Sequence, residues 1–299
     1  MATDNPVIIE VALNGTQKKK RNPNIPVSIS ELTTDAVECL EMGAHIIHQH
    51  DDLDSPGKLG GLSSEAMAEK SAEFYRTVLR EVPNAILYPT SNWPGPIETR
   101  WGHQITLAKQ NLLKMAYVDP GSVNIGRLAD NGYPQKEGAF VYSHSFDDIE
   151  WMMEQCHKLR VGPNMAIFEG GFLRIVLAYE RSKRLPPGAF LKLYFSDSLP
   201  FGFRPTSAAL EAYLCELNGS QVPWAVAVLG GNLLETDMAI IALRAGGHLR
   251  VGLEDYEGPG TPTNPEILKE ALSLCKKVGR RIASQEEALS ILNLPKRKS

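Results

Sequence analysis

The chain lacks the features that mark several large protein classes. No apolar stretch approaches the roughly 18 residues that a bilayer span requires, and Asp4 and Asn5 stand where a basic and then apolar leader would begin. A cytoplasmic, untargeted protein is therefore expected. The only cysteines, Cys39, Cys156, Cys215 and Cys275, lie far apart and form no CxxC pair, which argues against a disulfide frame or a thiolate metal site. Buried, reduced thiols are the expectation. No long block of like charge occurs, the longest basic run being Lys18 to Arg21, and the net charge is −4. This leaves no electrostatic footprint for nucleic acid or for an anionic membrane. No GxGxxG phosphate turn follows the first apolar run, which speaks against the open, dinucleotide-binding sheet.

What the chain does have is a steady alternation of short apolar runs and helical periodicity. Strands are expected at Val7 to Leu13, Ala44 to His50, Ala85 to Pro89, Val123 to Gly126, Met165 to Glu169, Ala189 to Phe195, Trp224 to Leu229 and Leu249 to Leu253. Helices fall between them. The first follows Ser30-Glu31-Leu32-Thr33 and stops at Met42-Gly43, where glycine supplies a left-handed end. Others span Ser63 to Glu81, Glu98 to Met115, Phe146 to Arg160, Phe172 to Lys183, Pro205 to Leu217 and Leu234 to Ala245. A last long helix opens at Asn264-Pro265-Glu266, and Ser284 to Leu292 adds a short one. Eight strand–helix units of roughly 37 residues match the repeat of an α/β fold, the (β/α)8 TIM barrel, with a doubly wound sheet as competitor. One domain over residues 1–299 is expected, ending in the short helix and a solvated tail at Lys296-Arg297-Lys298.

In such barrels the working groups lie at the carboxyl ends of the strands. The second strand ends His48-Gln49-His50, and two-residue spacing puts both imidazoles on one face, as a divalent metal would need. One core histidine and one loop histidine would be the plainer explanation. The eighth strand carries Arg250, Gly252 and Glu254 on one face, so Glu254 can complete a two-His, one-carboxylate site across the barrel closure. An internal Arg250–Glu254 ion pair is the alternative. Other strand ends offer Thr90-Ser91-Asn92, Ser122 and Asn124, Glu169-Gly170-Gly171 and Asn14-Gly15-Thr16-Gln17, polar groups suited to a small carboxylate but equally common as turn residues.

These residues also resemble a known family. Val7 to Gly15, Asn24-Ile25-Pro26-Val27, Glu41-Met42-Gly43-Ala44 leading to His48-Gln49-His50, Gly121 to Gly126, and above all Gly246-Gly247-His248-Leu249-Arg250-Val251-Gly252-Leu253-Glu254-Asp255 are similar to the β-keto acid cleavage enzymes. The likeness runs from about residue 6 to about residue 293. It implies a zinc-dependent TIM barrel, typically a homotetramer, that reacts a β-keto acid with acetyl-CoA to give acetoacetate and a new acyl-CoA. It implies His48, His50 and Glu254 as zinc ligands, Asp255 and Arg250 as a polar pair close to the reacting carbon, and Glu169 as a family carboxylate at the end of the fifth strand; of these, Asp255 is expected to abstract the proton. Thr90 falls where the family places a carboxylate-binding hydroxyl, Ser122 where it usually has threonine, and Ser91 lies next to Thr90.

Two departures stand out. The family often has Ser-Thr-Gly-Gly after the third strand, where this chain has Thr90-Ser91-Asn92-Trp93-Pro94. Near the first strand the family can carry glutamate and this chain has Gln17, a neutral amide that points away from a substrate held there by an amino group. The remaining alternatives are another zinc-dependent barrel aldolase or hydrolase, and a catalytically silent barrel that binds metabolites.

Overall fold

Strands that are apolar along their whole length can only be buried on both faces, and amphipathic helices supply the second cover. The computed structural model describes residues 5–50, 63–92 and 95–295. Its elements run β1 (Ile9–Ala12), α1 (Ile29–Met42), β2 (Ile46–Gln49), α2 (Ser64–Glu81), β3 (Ile86–Pro89), α3 (Ile97–Lys109), β4 (Met115–Tyr117), β5 (Val123–Ile125), β6 (Phe140–Tyr142) and α4 (Phe146–Leu159). They continue with β7 (Gly162–Ile167), α5 (Gly170–Arg181), β8 (Phe190–Phe195), α6 (Ser207–Glu216), β9 (Trp224–Val228), α7 (Asp237–Arg244), β10 (His248–Val251), α8 (Asn264–Val278) and α9 (Gln285–Ile291). Eight strands form one parallel sheet in the order β3-β2-β1-β10-β9-β8-β7-β4. Pairing of β1 with β10 joins the chain's two ends, and β3 lies beside β4, so the sheet is a nearly closed TIM barrel.

The seam between β3 and β4 is finished by side chains. Tyr117 N donates to Gln104 Oε1 at 3.1 Å, Trp101 Nε1 donates to Tyr117 O at 2.8 Å, and Lys114 Nζ donates to Ala85 O at 2.8 Å. Backbone groups that a ladder would have paired thus find partners on α3 and at the start of β4. The amino end of the barrel is sealed similarly: Ile9 N donates to His45 Nδ1 and Ile8 N to His248 Nδ1, each at 3.0 Å. His248, part of the family-like segment, is therefore a structural residue.

Local signals explain most boundaries. Ser28 and Glu31 form a capping box at the start of α1, and Gly43 ends it with φ 118°. Ser63 caps α2, Thr263 and Glu266 box α8, and Ser284 and Glu287 box α9.

One strand assignment is corrected. The fourth barrel strand is Met115–Tyr117, while Val123–Ile125 pairs antiparallel with Phe140–Tyr142 in a hairpin outside the barrel. The helix expected to reach Met115 stops at Lys109 because Asn111 takes a left-handed φ of 59° and turns the chain back toward the core. Leu112 and Leu113 continue a helical apolar rhythm in sequence but pack as the approach to β4. Cys39, Cys156 and Cys275 are buried free thiols as expected, but Cys215 is exposed, since it lies on the solvent side of α6. Asp51, Asp52, Trp93, Pro94 and the Lys296–Lys298 tail lie outside the described residues. Among the described residues no helix is long and apolar enough to cross a membrane.

Candidate metal and substrate site

The carboxyl ends of β1, β2 and β10 bring together the residues that the sequence singled out. His48 sits between Ala12 and Tyr88 in the parallel register, and its ring stacks on Tyr88 at 4.5 Å. Its Nδ1 lies 3.2 Å from Tyr88 O. A carbonyl only accepts, so Nδ1 carries the proton and Nε2 keeps a free electron pair. Burial pushes the His48 imidazole down to about 3, which keeps it neutral. His50 follows beyond the strand and is held through its backbone: Asn14 Oδ1 accepts from His50 N at 2.9 Å, and Asn14 Nδ2 donates to His50 O at 3.1 Å.

Glu254 closes the group. Its Oε2 lies 3.3 Å from His48 Nε2 and its Oε1 lies 3.5 Å from His50 Nε2. Among the described residues, one ligand atom from each of His48, His50 and Glu254 falls within 4.8 Å of the others. Burial opposes ionisation of Glu254, but the Arg250 guanidinium beside it and a hydrogen bond from His50 hold its carboxyl well below the usual range. Glu254 Oε2 is nonetheless buried without a hydrogen-bond partner. The free electron pair of His48 Nε2, the His50 imidazole and an unpartnered carboxylate oxygen converge on one spot. That donor set fits a divalent cation, and with three protein ligands it leaves positions open, as catalytic zinc sites do.

Two glycines allow the convergence. Gly252 has φ 129°, and a Cβ there would sit 2.3 Å from Ala12 O, so only glycine lets β10 turn this close over β1. Gly15 has φ 54°, and a Cβ there would meet Glu254 Cγ at 2.4 Å, so the loop after β1 presses directly on the carboxylate's stem.

Beneath the cluster lies a buried charged network. Arg250 Nε donates to Asp255 Oδ2 at 2.9 Å and NH2 to Asp255 Oδ1 at 3.2 Å, a two-point grip on one carboxylate. NH2 also lies 3.0 Å from Glu254 Oε1, and NH1 donates to Glu10 Oε1 at 2.5 Å. Burial raises the Asp255 carboxyl to about 6 against the attraction of Arg250, and Glu254 adds to the rise. Glu10 also accepts from Tyr88 OH at 2.5 Å and from Asn164 Nδ2 at 3.0 Å, and Lys192 Nζ donates to Tyr88 OH at 2.8 Å. Burial works against the Glu10 charge, yet Lys192 and Arg250 hold its carboxyl down at about 2.

Glu10, Tyr88, Asn164 and Lys192 were not singled out in the sequence. One signal was available for Glu10: it stands directly opposite Arg250 across β1 and β10. Asp119, at the true end of the fourth barrel strand, was also missed, and it accepts from Ala166 N at 3.0 Å and from Tyr142 OH at 2.7 Å.

The other expected residues are placed less centrally. Gln17 Nε2 donates to Glu254 O at 3.3 Å, which puts it at the edge of the cluster. Thr90 follows β3, its carbonyl 2.8 Å from His103 Nε2, and among the described contacts its hydroxyl is unspent. Ser91 Oγ donates to Asn92 O at 3.2 Å. Ser122 stands in the loop before the hairpin and not at a barrel strand end; its hydroxyl donates to His144 O at 3.1 Å and accepts from His144 N at 3.0 Å. Glu169 stands at the N-cap position of α5 without a side-chain capping bond, and its Oε1 instead accepts from Gly202 N at 3.0 Å, tying down the loop after β8. Among the described contacts, none joins Glu169 to the histidine cluster.

The chain matches the family model described as beta-keto acid cleavage enzyme over residues 6–294. It is 25% identical over 299 residues to a 3-oxoadipate:acetyl-CoA acetyltransferase of Cupriavidus necator, covering 97% of this chain and 95% of that one. It is 24% identical over 296 residues to a 3-keto-5-aminohexanoate cleavage enzyme of Fusobacterium nucleatum, covering 97% and 98%. Among solved structures, apo ObcA superposes with a TM-score of 0.66 at 14% identity, over 91% of this chain and 66% of the longer ObcA chain. That last likeness is one of fold.

Proposed function

Because the chain belongs to the β-keto acid cleavage enzyme family, we propose that it condenses a β-keto acid with acetyl-CoA, giving acetoacetate and a new acyl-CoA, with zinc held by His48, His50 and Glu254. The observation that carries this reading is the unpartnered, buried Oε2 of Glu254 beside His48 Nε2, in a carboxylate that His50 approaches through Oε1, with the Arg250–Asp255 pair fixed next to it. Bound there, zinc supplies a Lewis acid for the oxygen of the keto group.

The chain's own residues do the rest. Asp255 is the base. Burial raises its carboxyl above the ordinary aspartate range, which makes it a stronger base toward a proton on a carbon set between two carbonyl groups. Arg250 grips both of its oxygens, which fixes the direction along which the proton is taken. The carbon freed of its proton attacks the acetyl thioester and CoA leaves as thiolate. The returning thiolate then attacks the original keto carbon and breaks its bond to that same carbon. Asp255 returns the proton, and acetoacetate departs.

Of the three hydroxyls, Thr90 is the one we assign to the substrate carboxylate, because Ser91 and Ser122 already spend their hydrogens on backbone carbonyls. Ser122 and Glu169 then act by fastening the loops around the mouth. Gln17, whose amide already donates to Glu254 O, supports a keto acid without an amino group on that side. The same reading includes a cytoplasmic homotetramer. Tyr133, Val141 and Phe146, which stand exposed on and beside the hairpin, support assembly through that face.

A panel of β-keto acids incubated with and without acetyl-CoA tests the proposal. Acetoacetate formed only when acetyl-CoA is present supports it, whereas cleavage with water alone turns the site into that of a hydrolase or aldolase.

A further inference from the structure

The reaction needs a place for the phosphates of CoA, and the polar cluster just described offers none. The longest basic run in the sequence, Lys18 to Arg21, lies in the loop that leaves β1 at the same end of the barrel as His48, His50 and Glu254. It begins one residue after Gln17, whose side chain touches Glu254 O. The block therefore starts at the edge of the metal cluster and runs outward.

This loop is built to hold its shape. Arg21 N and Asn22 N both donate to Lys18 O, at 2.9 and 3.3 Å. Asn22 Nδ2 donates to Pro262 O at 2.8 Å and Asn24 Nδ2 to Thr261 O at 2.7 Å, which rivets the loop to the segment after β10. Lys19 is paired with Glu31, and Arg21 with Glu257 at 2.7 Å. Glu257 is also held by both terminal nitrogens of Arg127, which reaches across from the loop between β5 and β6. Five cations thus share two carboxylates, which leaves three positive charges in a chain whose net charge is −4. Lys18 and Lys20 are exposed, and neither side chain has a hydrogen bond or ion pair among the described residues.

We propose that Lys18 and Lys20, with Arg21 and Arg127 behind them, bind the phosphate groups of the CoA thioester, so that the uncharged pantetheine arm runs inward past Gln17 to the metal cluster. The chemistry fits. The CoA head carries its charges on a diphosphate and a separate ribose phosphate, which a spread of flexible ammonium groups receives better than a single fixed pocket. The excess of positive charge also raises the local concentration of a polyanionic substrate at the mouth. This inference rests on the proposed use of acetyl-CoA and goes on to say which residues recognise it.

The test compares the zinc-loaded enzyme with its Lys18→Ala/Lys20→Ala variant on two acetyl donors, acetyl-CoA and the phosphate-free S-acetyl-N-acetylcysteamine. Expected is a rise in the KM for acetyl-CoA on the order of tenfold, shrinking as ionic strength rises, with kcat retained. The loss should be confined to acetyl-CoA and absent with the phosphate-free thioester. Lys276→Ala/Lys277→Ala, which removes the same charge from the last turn of α8 at the opposite end of the barrel, should leave the KM for acetyl-CoA unchanged. An unchanged KM in the Lys18/Lys20 variant, or an equal loss on both donors, overturns the proposal.

Calorimetric titration with CoA itself reads the site without turnover. Wild type binding about tenfold more tightly than the Lys18/Lys20 variant supports the proposal even if no keto acid yields acetoacetate, in which case only the reaction reading fails. Equal affinities, or no binding by wild type, overturn it.

Discussion

Glu10 and Arg250 meet at 2.5 Å in the middle of the barrel, both buried, at positions that the register of β1 and β10 sets directly opposite each other. The contact occupies the NH1 of Arg250 and leaves Nε and NH2 for Asp255, so the proposed base is oriented from below by a residue that need not touch substrate. Lys192 supplies the second cation that lets Glu10 remain ionised where it is fully buried.

Glu10→Gln removes one partner of this network and leaves two buried cations short of a counter-charge. The expected cost is about 3 kcal/mol of folding stability, read from urea unfolding, together with a fall in kcat. Glu10→Gln/Lys192→Met restores the charge balance, so stability should largely return while kcat stays low, because a neutral amide holds Arg250 NH1 less firmly than the Glu10 carboxylate does. Recovery of both together would reduce Glu10 to a structural role.

His48→Ala and Glu254→Ala each remove a converging ligand. Zinc affinity is expected to fall by more than about a hundredfold, and activity should be lost in parallel. Elemental analysis decides this, and full metal content in both variants would remove these residues as ligands.

Asp255→Asn keeps the shape of the pair with Arg250 and abolishes the basic oxygen. Zinc content should be unchanged and kcat should drop by about a hundredfold or more. A variant that turns over at the wild-type rate would leave the reaction without its assigned base.

The pH dependence of stability follows from buried histidines other than the proposed ligands. Burial pushes His103 down to about 4 and His248 down to about 3, so both stay neutral in the folded chain, whereas the unfolded chain takes up protons below about 6.5. Their stabilising effect is fully present above that value and is lost as pH falls from about 6.5 toward about 4. At about pH 5, His103 alone accounts for on the order of 2 kcal/mol. Unfolding midpoints at about pH 7.5 and about pH 5 should therefore differ less in His103→Gln than in wild type. Equal differences would contradict the assignment.

Much of this arrangement can be read from the residues alone, and the exceptions have physical causes. Apolar runs reveal barrel strands because both faces are covered, and the spacing of His48 and His50 survives because a strand alternates its side chains. The fourth strand is hidden because Leu112, Leu113 and Met115 continue a helical rhythm, and the stop depends on a left-handed Asn111 in place of a glycine. Glu10 and Lys192 are hidden for a different reason. A charge within a strand looks like a solvent-facing residue until the closure of the barrel reveals its partners, and those are fixed by pairing of β1 with β10 and by a contact across the barrel to β8. Ser122 was placed by its neighbours in sequence, and the hairpin it leads into moves it off the barrel's inner rim.

The most direct test of the central claim follows the acetyl group. The zinc-loaded enzyme is given a productive β-keto acid together with acetyl-CoA whose acetyl carbons carry a heavy-isotope label, and the products are separated by mass spectrometry. The account predicts labelled acetyl in the methyl-ketone half of acetoacetate and an unlabelled acyl group on CoA. Unlabelled acetoacetate, or a free acid in place of the new acyl-CoA, would contradict it.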